Sequence, residues 1–441
     1  MEDAFLIKGG QPLRGSIVLS GAKNVALKVI IAALLLDQEV VLKNIPRISD
    51  VDELIHLIQS LGAKAEFTDK NTVVVDGRSL NSNKVDLLHA SKIRVSFILF
   101  APLLHKFSRC FIPNPGGCRI GARPIDRIVE GVKKLGIDID YDSSTGFYQA
   151  QMKTKPFGSY RFPKVTHTGT ELLIMLSVFA KGKVLLDNAA LEPEIDELIR
   201  FLNISGAKIH KNGGAVSIQA VEKLTLAQPF EIMTDRNEAV TFATLAIASK
   251  GEVEISSLNP ENIRVFIQKM KEVGVGIDVL DKDKLKFYYQ GPLKSSRIQT
   301  QPHPGFMTDW QPNWAILMTQ ANGDSVIQER VFENRFSYVE ELRKLGADID
   351  FIKIPVSNPA EYFFFNFDPA KKYNQAIKIK GPQTFHGGVL NIADLRAGAT
   401  LAIAALVAKG ESIVNGASIL ERGYENFVEK VTSLGGDIKK I

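Results

Sequence analysis

A chain of 441 residues, 45% apolar and 23% charged, is too long for one ordinary hydrophobic core and reads as a globular protein of two domains. Its two cysteines, Cys110 and Cys118, rule out a disulfide framework and fit a reduced, cytoplasmic setting. The acidic start Met1-Glu2-Asp3-Ala4 does not resemble a signal peptide, the longest apolar run (29–36) is far short of a membrane span, and a net charge of +5 on scattered lysines speaks against nucleic acid as a partner.

Two strand-like pieces come first, at 4–8 and 15–19. An apolar helix at 25–36 follows, then an amphipathic helix that ends at Leu61-Gly62-Ala63-Lys64 and a strand at 72–75. The helix–glycine–strand pattern recurs with its glycine at Gly136, Gly206, Gly274, Gly346 and Gly435, six instances in all. A glycine placed there suits the left-handed residue that closes a helix. Each instance has an apolar helix upstream, at 95–104, 172–180, 239–248, 314–319 and 401–408 for the later five. Helices apolar on nearly every side belong inside, with the Lys/Glu-faced helices outside them. Second strands are expected at 147–152, 215–220, 285–289 and 362–367. The sixth repeat ends too soon after Gly435 to have one, so the two N-terminal strands are expected to complete it. The resulting division is 1–22 with 233–441 as one domain and 23–232 as an inserted one, with linkers near 20–23 and 232–235.

The loop Asn114-Pro115-Gly116-Gly117-Cys118-Arg119-Ile120-Gly121-Ala122-Arg123-Pro124 places a thiol among glycines and two arginines. Guanidinium neighbours favour the reactive thiolate and also bind oxyanions. Cys110, in an apolar strand-like segment, reads as a small core residue. The buried helices begin beside Lys23-Asn24, Lys92/Arg94, Thr170-Glu171, Asp235-Arg236, Thr308-Asp309 and Asp394/Arg396. Capping accounts for Thr308, Asp309 or Asp235. It does not account for Lys23, Arg94 and Arg396, because the helix dipole disfavours cations at that end unless an anion compensates.

Five stretches together resemble the UDP-N-acetylglucosamine 1-carboxyvinyltransferase family of enolpyruvyl transferases. They are Ser20-Gly21-Ala22-Lys23-Asn24, the Cys118 loop, Val331-Phe332-Glu333-Asn334-Arg335-Phe336, Asp394-Leu395-Arg396 and Glu421-Arg422-Gly423-Tyr424-Glu425, in the family's order over almost the whole chain. The resemblance implies an α/β (α+β) fold of two inside-out α/β barrel domains, each of three βαβαββ repeats, six in all. It implies transfer of the enolpyruvyl group of phosphoenolpyruvate to the 3′-hydroxyl of UDP-N-acetylglucosamine, without cofactor or metal, in peptidoglycan synthesis.

By the same resemblance Cys118 is the general acid, a participant in product release and the thiol alkylated by fosfomycin, and Asp309 is the general base. Phosphoenolpyruvate falls to Lys23, Asn24, Arg94, Arg123, Arg396 and Arg422. The UDP-sugar falls to Lys23, Asn24, Arg94, Pro124, Ile125, Asp126, Thr308, Asp309 and Val331, with Glu192, Asp235, Arg335 and Asp394 in support. Asp235 and Arg236 fit either a helix start or an interdomain salt bridge, and His303 fits a structural role or a catalytic one.

Three departures bear on the acceptor. The segment 162–171 is two residues longer than the family's, and the family's uridine nucleotide lies against that loop. Around Asp309 the chain reads Met307-Thr308-Asp309-Trp310-Gln311, and Arg127 replaces an aliphatic residue. Two other readings stay open: an enolpyruvyl transferase for another nucleotide acceptor, and a nucleotide-sugar-binding protein without turnover. Oligomeric state is not legible.

Overall fold

The six repeated glycines end six helices as expected. Gly62, Gly136, Gly206, Gly274, Gly346 and Gly435 all have φ between +86° and +103°, a region that costs other residues strain. At the first of them Gly62 N bonds Gln59 O and Ala63 N bonds Ile58 O, so carbonyls left over at the helix end are satisfied before the strand begins.

The computed structural model describes residues 3–117, 120–121 and 124–441 of a mixed α/β protein. The chain divides into two units. One, the inserted unit, holds 21–117 and 124–233; the other, the terminal unit, holds 234–441 with the described residues of 1–20 and 118–123.

In the inserted unit Glu39–Lys43 lies between Phe230–Glu231, parallel to it, and Thr72–Asp76, antiparallel, with Lys64–Asp69 beyond. Lys183–Asp187 is flanked the same way by Gly158–Arg161 (parallel) and Ala215–Gln219 (antiparallel), with Lys208–Asn212 outermost. The third sheet has Arg109–Pro113, Phe147–Gln151 and Asp138–Asp142, and a single parallel bridge from Lys84 to Phe111 marks the fourth position.

The terminal unit repeats that strand order three times, around Glu252–Ser256, Ala321–Gln328 and Gly410–Asn415. Ala4–Gly9 pairs antiparallel with Gly410–Asn415 and Asp437–Lys440, supplying the strand the sixth repeat lacks. The second N-terminal strand does otherwise: Arg14–Val18 runs parallel to Glu252–Ser256 in the fourth repeat's sheet. Its Ile17 is buried while Val18 is exposed, the alternation of a one-sided strand.

The apolar helices sit in two separate cores. Lys23–Ala33, Phe100–Phe107 and His167–Ser177 belong to one, and Arg236–Ala248, Gln311–Met318 and Leu395–Val407 to the other. In the second core Trp310 and Trp314 meet Phe266 and Phe306 edge to face; truncating such a buried aromatic costs about 3–5 kcal/mol.

The strand expected at 362–367 does not form. Pro359–Tyr362 is a helical turn, and Phe363 stacks on Phe365 and Phe367. The run is apolar without alternation, so it buries rings against one another rather than presenting one face to a sheet. The sheet position goes to Ala376–Gly381, paired with Ala321–Gln328.

Candidate functional site

In the terminal unit, three helix starts collect charge. Asp394 caps Leu395–Val407, its Oδ1 accepting from the amides of Arg396 and Ala397 at 3.0 and 3.1 Å. Asp235 caps Arg236–Ala248 in the same way. Capping therefore accounts for Asp235 and Asp394. It fails for Thr308 and Asp309, which lie inside the short turn Thr308–Trp310, where Met307 holds the cap position.

Asp309 is held by two guanidinium groups instead. Its Oδ1 accepts from Arg335 Nη2 at 2.8 Å and its Oδ2 from Arg396 Nε at 3.3 Å. Arg335 also reaches Asp394 Oδ1 at 3.4 Å, and Ser337 donates to Asp394 Oδ2 at 3.0 Å. Buried charges of this kind persist only when paired and hydrogen-bonded. Burial works against the Arg396 cation, yet Tyr424, Asp309 and Asp235 more than offset it and raise its hold on its proton. Arg396 Nη1, also buried, has no hydrogen-bond partner among the described residues. An N–H left so in a buried cation is a place for an anionic oxygen.

Thr308 donates to Glu329 Oε2 at 2.9 Å, and Glu329 Oε1 accepts from the amides of Val331 and Phe332. Burial pushes the Glu329 carboxyl up, against the pull of those amides, of Thr308 and of Arg335. Arg236 is buried and donates to Asn262 O at 3.3 Å, with its Nη1 3.2 Å from His303 Nδ1. Arg422 follows the helix Ala417–Glu421. Tyr424 bonds Thr241 at 2.7 Å, and its ring faces Arg396.

In the inserted unit Lys23 opens its helix without a side-chain cap and pairs with Asp50 at 2.7 Å, both nearly buried. Asn24 follows in the same helix, and Arg94 opens the short helix Arg94–Leu99. Pro124 and Ile125 precede the helix Asp126–Lys134, which Asp126 begins. Glu192 stands at the cap position of Pro193–Ile204, with its Oε2 buried and without a hydrogen-bond partner among the described residues. The lengthened segment enters the helix His167–Ser177, where Lys28 and His167 lie 3.3 and 3.1 Å from Glu171 Oε1. Burial disfavours the His167 imidazolium, but Glu171, and beyond it Glu192, outweigh this and raise its proton affinity. Cys118 and Arg123 lie outside the described residues.

The structure thus brings Asp309, Arg335, Asp394 and Arg396 into one network, while Thr308 bonds Glu329. Sequence reasoning missed Asp50, Ser337 and Glu329. Asp50 reads as an ordinary first-turn acid of the helix Ser49–Ser60. Only the polar run Gln328-Glu329-Arg330 after an apolar pair hinted at Glu329. Among the described residues no group of His, Cys, Asp and Glu is placed to hold a metal ion, and no helix is long and apolar enough to cross a membrane.

The profile for EPSP synthase (3-phosphoshikimate 1-carboxyvinyltransferase) matches residues 7–431. UDP-N-acetylglucosamine 1-carboxyvinyltransferase of Acidobacterium capsulatum is 36% identical over 443 residues, covering 100% of this chain and 96% of that one. The enzyme of the same name from Halothermothrix orenii is 38% identical over 446 residues, with 99% of each chain covered. Among solved structures, the enolpyruvyl transferase NikO from Streptomyces tendae superposes with a TM-score of 0.85 at 21% identity, covering 100% of this chain and 99% of that one. EPSP synthase from Acinetobacter baumannii gives 0.70 at 16% identity, with 100% of both chains covered. Full-length identity to the first two and a shared fold with the others agree with the charged network around Asp309: the chain belongs to the UDP-N-acetylglucosamine 1-carboxyvinyltransferase family of enolpyruvyl transferases.

Proposed function

We propose that the chain transfers the enolpyruvyl group of phosphoenolpyruvate to the 3′-hydroxyl of UDP-N-acetylglucosamine with release of phosphate, the first committed step of peptidoglycan synthesis, in the cytoplasm. The observation that carries the reading is the Asp309 carboxylate gripped by Arg335 and Arg396, with Arg396 Nη1 buried and without a hydrogen-bond partner among the described residues. A base beside a cation fits a reaction in which a hydroxyl loses its proton next to a phosphorylated, carboxylated substrate.

In this reading Cys118 delivers a proton to C3 of phosphoenolpyruvate while the acceptor hydroxyl bonds to C2 and gives its proton to Asp309. The tetrahedral ketal then returns a proton from C3 to the Cys118 thiolate and breaks its C2–O bond to phosphate, which leaves with the proton held by Asp309, so the double bond is restored and both groups are reset. Lys23, Arg94, Arg123, Arg396 and Arg422 hold the phosphate and carboxylate, where guanidinium forks suit both groups. Asn24, Pro124, Ile125, Asp126, Thr308 and Val331 take the nucleotide sugar. Each unit is read as an inside-out barrel of three βαβαββ repeats, one from 1–22 with 233–441 and one from 23–232. Three sheets of one strand order in each unit support that reading.

A second acceptor reading draws on His167, whose pairing with Glu171 occurs in the lengthened segment. The test is phosphate release from phosphoenolpyruvate with UDP-N-acetylglucosamine and with other nucleotide sugars. Release with UDP-N-acetylglucosamine supports the proposal. Release with another nucleotide alone moves the acceptor, and no release with any acceptor leaves a binding protein.

A further inference from the structure

We infer that Glu329 is a positioning residue for the transfer reaction: it ties the turn carrying Asp309 to the backbone that leads to Arg335, and the aromatic segment 359–375 clamps it in place. Glu329 follows the strand Ala321–Gln328 and is fully buried. One carboxylate oxygen accepts from Thr308, the residue before Asp309; the other accepts from Val331 and Phe332 amides at 2.7 and 3.0 Å. Arg335, which grips Asp309, lies four positions beyond Val331. One carboxylate therefore sets both members of the Asp309–Arg335 pair.

The clamp comes from the other side. Gln375 Nε2 donates to Glu329 O and Phe332 O at 3.0 and 3.1 Å, and Glu329 N returns a bond to Gln375 O at 2.8 Å. Next to it, Phe364 N bonds Arg330 O at 2.8 Å, and the Arg330 guanidinium lies 4.0 Å from the Tyr362 ring centre while donating to Tyr362 O. Residues 329–332 are thus held through the Glu329 carboxylate on one side and by the segment 359–375 on the other. A solvated carboxylate could not do this, because water would compete for each amide.

A role in burial alone lowers the amount of folded protein and leaves each folded molecule unchanged. A positioning role changes the chemistry of folded molecules, since a misplacement of about 1 Å costs on the order of 100-fold. The experiment measures phosphate release per folded molecule, with the folded fraction taken from circular dichroism, for wild type, E329A, E329Q and Q375A. We expect kcat to fall about 10- to 100-fold in E329A, with KM for phosphoenolpyruvate within about threefold of wild type, since binding and positioning separate in this split. E329Q restores kcat to within about threefold, because its amide oxygen still accepts from Val331 and Phe332 and its NH2 faces the Thr308 hydroxyl. Q375A lowers kcat about threefold or more by freeing one edge. An unchanged kcat in Q375A, or an E329Q as impaired as E329A, overturns the inference; should E329A not fold, Q375A and E329Q decide it. The inference rests on the transferase reading. A wild type that releases no phosphate with any nucleotide sugar overturns that reading and this one together, whereas wild-type turnover beside unimpaired variants overturns this one alone.

Discussion

Asp309 and Arg335 form a pair of unequal exposure: the guanidinium side chain is 2% exposed, while the carboxylate 2.8 Å away is 24% exposed. The cation is anchored within the fold by Asp394 as well, and the anion keeps an open side. A partly exposed carboxylate gripped by guanidinium groups is, in the proposed reading, placed to accept a proton from a ligand without first reorganising.

In the proposed reading Asp309 is the base, and replacing it by Asn keeps the shape while removing that role. Turnover is expected to fall about 100- to 10,000-fold, with KM for both substrates changing little, as for an interaction used in the transition state. Steady-state phosphate release checks this. A loss confined to KM would show that Asp309 only binds.

Arg396 has a buried N–H, at Nη1, with no hydrogen-bond partner among the described residues. An R396K variant keeps the charge but loses the fork that bonds Asp309 with one edge and, in the proposed reading, an anionic substrate with another. KM for phosphoenolpyruvate should rise about 10-fold or more, in line with the loss of a charge-assisted bond. Initial rates against phosphoenolpyruvate at fixed acceptor test it; unchanged KM would remove Arg396 from the anion site.

Cys110 and Cys118 should differ in reactivity. Cys110 lies in the strand Arg109–Pro113, fully buried, and burial pushes its thiol well up. Fosfomycin is expected to add one adduct, on Cys118, and C118A to abolish both the adduct and most turnover. Intact-mass and peptide analysis decide; an adduct on Cys110 would defeat the assignment.

His105 makes stability depend on acidity. Burial lowers its pKa from 6.5 to about 4, with Leu176 O, 3.0 Å from Nε2, partly opposing and Lys155 adding to the drop. The unfolded chain then binds the proton first, so stability present above pH 6.5 is lost as the pH falls toward 4. The loss for this partly exposed ring is about 1–3 kcal/mol. Thermal unfolding between those limits should show a shallower pH slope in H105Q than in wild type, and equal slopes would rule the ring out.

The six glycine helix ends were legible because they rest on local chemistry. A left-handed helix end selects glycine wherever it occurs, and Gly62 through Gly435 announced six such ends with no knowledge of neighbours. Lys23 and Arg396 stood out for a similar reason, since a cation at a helix start opposes the dipole whatever surrounds it. The run 362–367 misled because aromatic residues favour strands equally and rings that stack on one another look the same in sequence as rings facing a sheet.

What the sequence by itself determined was therefore the six helix–glycine–strand units, the apolar helices of the two cores and the charged residues at their starts. Tertiary structure alone decided the partners. It sent Arg14–Val18 to the fourth repeat's sheet rather than the sixth, made Asp309 a ligand of two arginines rather than a cap, and drew in Glu329, Ser337 and Asp50. Strand pairing and buried ion pairing join residues tens to hundreds of positions apart. Their free energy depends on which groups leave water together, and no local pattern records that.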